Sequence, residues 1–94
     1  MRESAVEKRL VDLVAGLGGI AYKFKSPNRR NVPDRIVVLP GHHIHFVECK
    51  APGKKPRAAQ QREFFRLAAF GFYVHVLDTI GKVDLFIEQR RSEK

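Results

Sequence analysis

The chain has 94 residues, 44% of them apolar, with 18 Lys and Arg against 10 Asp and Glu. That length sets a single domain, residues 1–94, whose modest core a second copy of the chain would help to stabilise. A net charge of +8 favours a polyanion such as nucleic acid as partner, bound with strong salt dependence, over a membrane surface or a merely solvated basic surface.

Val6, Leu10, Leu13, Val14 and Leu17 recur at helical spacing, so residues 4 to 17 are predicted to form an amphipathic helix. Ser4 and Glu7 match a capping box, in which the hydroxyl caps the helix and the carboxylate reaches back to it. Gly18-Gly19 ends the helix. Residues 20 to 24 form a short strand, and 25 to 32 (KSPNRRNV) a basic, turn-rich loop. Two apolar runs follow, 35 to 39 and 44 to 50, separated by Pro40-Gly41-His42-His43. This is the pattern of a hairpin.

Pro52 and Pro56 keep residues 51 to 56 irregular. Residues 58 to 70 are rich in helix formers, with Phe64, Phe65 and Ala68 on the packed side. Gly71 ends that helix, 73 to 77 is a β-branched strand, and 79 to 90 a last helix marked by Ile80, Val83 and Ile87. Residues 92 to 94 are expected to fray. The order αβββαβα predicts an α/β domain, a mixed sheet flanked by helices.

One cysteine, Cys49, excludes an internal disulfide framework and fits a reducing compartment. No apolar run approaches the roughly 18 residues of a membrane span. The first residues lack the apolar centre of a signal peptide, so the expected location is intracellular, in the cytoplasm or with the nucleoid.

The chemistry concentrates around the hairpin. Asp34 opens the first apolar run behind Pro33, and Glu48-Cys49-Lys50 closes the second. Residues two apart on a strand share a face, so Glu48 and Lys50 point the same way, and strand pairing brings Asp34 beside them. Two carboxylates and an amine then converge where a strand ordinarily carries Val or Ile. Such a set suits a divalent cation and a polarised water, the equipment of phosphodiester hydrolysis. Cys49 alternates away and packs as a small hydrophobe.

These residues resemble the PD-(D/E)xK nuclease superfamily, and their surroundings its VRR-NUC branch, over residues 3 to 76. The matching positions are Glu7 in the first helix, Pro33-Asp34, Glu48-Cys49-Lys50, and Gln60 early in the next helix. Where the family often places Ser/Thr-Pro before the glutamine helix, this chain has Arg57-Ala58, and Gln61 stands as the alternative to Gln60. The resemblance implies Asp34, Glu48, the Cys49 carbonyl and Glu7 as ligands of Mg2+ or Mn2+. Lys50 assists the attacking water, and Gln60 contacts a phosphate or the water. It also implies DNA cleavage to 5′-phosphate and 3′-hydroxyl ends, and stand-alone members resemble homodimeric Holliday junction resolvases acting on branched DNA.

Each residue also has a structural role available. Asp34 can start a turn after Pro33, Glu48 and Lys50 can pair on an exposed strand, and Glu7 can serve the capping box. Lys23, Lys25, Arg29, Arg30, Lys54, Lys55 and Arg57 lie in two loops flanking the acidic set, where together they offer phosphate-binding charge. Four histidines with no second cysteine lack the spacing of a structural zinc site. A non-catalytic DNA-binding module, a duplex nickase and a flap endonuclease are the competing functions.

Overall fold

The computed structural model describes residues 2–93. Helix α1 (Glu3–Gly16) buries Val6, Leu10 and Val14, spaced four apart on one face. It starts one residue before Ser4: Arg2 is the N-cap, without a side-chain cap bond, and Ser4 is exposed inside the first turn. The capping box is therefore not formed, which frees Glu7 for another partner.

The chain leaves α1 through Gly18 and Gly19 into β1 (Ile20–Lys23). A Cβ at Gly19 would stand 2.4 Å from the Val38 carbonyl oxygen and 2.6 Å from Leu39 Cδ2. Only glycine lets α1 lie this close to the sheet.

Strands β1, β2 (Arg35–Leu39) and β3 (His43–Cys49) form an antiparallel meander. The hairpin turn is shorter than its sequence suggests. Gly41 and His42 both take positive φ, 87° and 69°, closing the loop so that His43 already pairs with Leu39. Helix α2 (Ala58–Ala69) then returns the chain to β4 (Val74–Leu77), parallel to β3, giving a four-stranded mixed sheet in the order β1-β2-β3-β4.

Helix α3 (Ile80–Arg91) is capped by Thr79, whose hydroxyl accepts from the Lys82 N–H at 3.0 Å. It packs with α1 on one face of the sheet, enclosing Val37, Val47, Cys49, Leu77, Val83, Phe86 and Ile87. The opposite face carries α2 over the β3–β4 side only.

Two expectations for the helices change. Phe64 is buried, but Phe65 is 72% exposed; at about 100° per residue, neighbours on a helix cannot both face the sheet. The tail is held where fraying was expected. Glu93 Oε1 lies 3.0 Å from His45 Nε2 and 3.4 Å from Arg90 Nε. Lys94 lies outside the described residues. No described helix is long and apolar enough to cross a membrane.

Candidate active site

The carboxylates meet at the end of the β2–β3 hairpin. Asp34 lies just before β2 and Glu48 near the end of β3, each one position beyond the last β2–β3 ladder pair, Arg35 with Val47. Two reciprocal bonds lock them. The Asp34 N–H donates to Glu48 Oε1 at 3.1 Å, and the Cys49 N–H donates to Asp34 Oδ1 at 3.1 Å. One oxygen of each carboxylate is thereby oriented by a backbone N–H across the hairpin.

Glu48 is 4% exposed, and its second oxygen is also occupied. Lys50 Nζ and Gln60 Nε2 both lie 3.1 Å from Glu48 Oε2. Lys50 also donates to Gln60 Oε1 at 3.1 Å. Glu48, Lys50 and Gln60 thus close a three-membered ring of charge-assisted bonds across β3 and α2. The Gln60 oxygen further accepts the Arg57 N–H at 3.1 Å, satisfying a free donor at the start of α2. That bond anchors the amide despite the absence of a Ser/Thr cap. Gln61 turns away: it is exposed and its amide donates to the Pro56 carbonyl at 3.0 Å.

Asp34 is the electrostatically strained member. Burial first, and then the Glu48 charge, push its carboxyl up to about 7, against the lowering effect of the Cys49 N–H bond; Glu7 and Glu3 add to the rise. Neighbouring carboxylates in a partly dry site repel when both are ionised. A divalent cation between them would offset that repulsion, and their hard oxygen donors match Mg2+ or Mn2+. The residues present therefore fit such an ion.

Glu7 stands apart from this pair. Its carboxylate accepts from Arg35 Nη2 at 3.3 Å, while Arg35 Nη1 donates to the Ala21 carbonyl at 3.0 Å. Among the described residues, no three His, Cys, Asp or Glu side chains gather at metal-binding spacing. Among the described residues Glu7 is hydrogen-bonded to Arg35 and not to Asp34 or Glu48, while its charge still adds to the rise at Asp34. Cys49 is 1% exposed in the core, and burial pushes its thiol far above the usual range.

Of the basic positions, Lys23, Lys25, Arg29, Arg30, Lys54, Lys55 and Arg57 are all exposed. Arg29 also holds Glu63 of α2 with its Nε at 3.2 Å and Nη2 at 3.1 Å. This pair pins the loop before Asp34 to α2. It also borders a groove of about 370 Å³ that Arg62 and Arg66 share. In sequence these two arginines look like an ordinary solvated helix face, and only their spacing, four apart and flanking Glu63, distinguishes them.

No family model matches the chain. It is 60% identical over 79 residues to "Putative nuclease p44" of Acyrthosiphon pisum secondary endosymbiont phage 1, a match covering 84% of this chain and 85% of that protein. A solved VRR_NUC domain superposes with a TM-score of 0.86 at 36% identity, covering 92% of this chain and 94% of the other. The chain belongs to the VRR-NUC family of nucleases.

Proposed function

We propose that the protein is a Mg2+- or Mn2+-dependent endonuclease that cuts branched DNA, most concretely a four-way junction, as a homodimer. The ring of 3.1 Å contacts joining Glu48, Lys50 and Gln60 beside the backbone-locked Asp34 carries this proposal. A structural salt bridge needs neither a buried amide bonded to both its partners nor a second carboxylate aimed at the same point.

The roles follow from the atoms. Asp34 and Glu48 would hold the cation, with the Cys49 carbonyl as a backbone donor. When bound, the cation supplies Lewis acidity, lowering the pKa of water and offsetting charge on the phosphodiester. Lys50 places an ammonium at the same point, where it orients the attacking water or balances charge as the phosphorus gains its fifth oxygen. Gln60 fixes the direction of both Lys50 and Glu48. Glu7, steadied by Arg35, adds negative potential behind Asp34 and can reach the site through water. Exposed Lys23, Lys25, Arg30, Lys54, Lys55 and Arg57 receive the flanking backbone, with Arg29 tied to Glu63 at the loop's base.

One observation supports two copies. The sheet face beside the site keeps an uncovered apolar row. Ile20 pairs with Val38 and Val38 with Ile44, and these three are 54%, 36% and 51% exposed. Tyr22 and Phe72 are also exposed, at 53% and 47%. Contiguous exposed apolar residues often mark interaction surfaces, and a two-fold partner there would supply the second site that paired incisions need.

The test is substitution of the core. Asp34→Ala and Lys50→Ala are expected to abolish cutting while junction binding persists. Cutting retained in either variant would move the site elsewhere.

A further inference from the structure

We propose that the groove between the 28–31 loop and α2 is a second phosphate subsite, holding the DNA backbone two or three nucleotides from the scissile bond. This rests on the nuclease function proposed above and names how that site grips its substrate. The groove is lined by Asn28, Arg29, Arg30, Asn31, Arg62 and Arg66, with Glu63 at its base.

Charge in the groove is unbalanced. Glu63 is 9% exposed and bonds Arg29 at 3.1 Å, with Arg66 Nε at 3.6 Å. One carboxylate therefore fixes two guanidinium groups in place. Arg30 and Arg62 add two more, and among the described residues neither forms an ion pair with a carboxylate. An ion pair that only pinned the loop would need Arg29 alone. Planar guanidinium groups held at one groove match a phosphodiester, which each can grip through two N–H donors.

Position along α2 relates the groove to the chemistry. Gln60, in contact with Lys50 and Glu48, and Glu63, in contact with Arg29, lie one turn apart on the buried side of the helix. That turn advances about 4.5 Å, and Arg66 lies about as far again. The distance suits two or three nucleotides of a strand rising about 3.4 Å each. Asn31, held at a φ of 67°, turns the loop so that its polar residues line the opposite wall.

The experiment uses the double variant Arg62→Ala/Arg66→Ala, both at exposed positions. Binding to a fluorescein-labelled four-way junction is followed by anisotropy in EDTA across a salt series. A second double variant, Lys8→Ala/Arg91→Ala, removes the same charge from α1 and α3. Loss of two backbone contacts should lower the slope of log affinity against log salt by about 1.8 and weaken binding about tenfold near 0.1 M salt. Unchanged affinity and slope, or a change no larger than in Lys8→Ala/Arg91→Ala, would overturn the subsite. The binding result stands independently of cutting. A wild-type protein that binds the junction but leaves it intact in Mg2+ would count against the nuclease function and not against the groove.

Discussion

Lys50 Nζ lies 3.1 Å from Gln60 Oε1, so the amine that closes β3 is positioned by α2. The same glutamine donates to Glu48 at 3.1 Å. Removing the amide loosens two site residues at once without deleting either. Gln60→Ala is therefore expected to lower kcat by about 10- to 100-fold, the usual cost of losing a partner that orients metal ligands. Gln61→Ala should stay within about twofold. Steady-state cleavage of a labelled junction compares them, and equal effects would contradict the assignment.

Gly19 is a packing constraint. Its missing side chain admits the Val38 carbonyl to within 2.4 Å of where a Cβ would sit. That atom is backbone in a central strand, so it cannot swing aside. Gly19→Ala should destabilise the fold by about 1–3 kcal/mol, measured as a lower urea midpoint with unchanged m-value.

A second titrating cluster sets stability in mild acid. His75 packs against Phe86 at 4.9 Å between ring centroids and beside His45 at 5.6 Å. Burial, then Arg90 and His45, lower its pKa from 6.5 to about 4; His45 is lowered as well, chiefly by burial. A folded pKa below the unfolded value means this contribution is whole above pH 6.5 and is lost as pH falls through about 4. With allowance for partial solvation, His75 should cost on the order of 1 kcal/mol between pH 7 and pH 5. Urea unfolding at the two pH values checks this, and His75→Phe should flatten the dependence over that interval.

The row Ile20, Val38 and Ile44 predicts where two copies meet. A Val38→Glu/Ile44→Glu variant should elute as a monomer in light-scattering chromatography and remain folded, since both side chains are already exposed. With a junction it should make single nicks in place of paired incisions. A variant that stays dimeric would place the interface on another surface.

The sheet and most of the site were legible because period-2 alternation fixes which residues share a strand face. Glu48 and Lys50 had to be neighbours once the hairpin was recognised, and Asp34 had to lie opposite. Gln60 was separable from Gln61 only through tertiary contact: both sit in the first turn of α2, and the sheet decides which faces Lys50. The Ser4–Glu7 cap fails for a related reason: Arg35, distant in sequence, takes the Glu7 carboxylate. The Arg62–Arg66 groove was hidden because its other wall is the loop at residues 28 to 31. Glu93 was likewise assigned to a loose tail, although His45 and Arg90, met only after folding, hold it.

The central claim is tested most directly with a labelled four-way junction and a matched linear duplex. Each is incubated with the wild-type protein in Mg2+ or EDTA, beside Lys50→Ala in Mg2+. Paired nicks in the junction that require Mg2+, fade on the duplex and vanish with Lys50→Ala are the expected result. Tight junction binding with no incision in Mg2+ or Mn2+ would contradict the account and make Asp34, Glu48 and Lys50 elements of the fold alone.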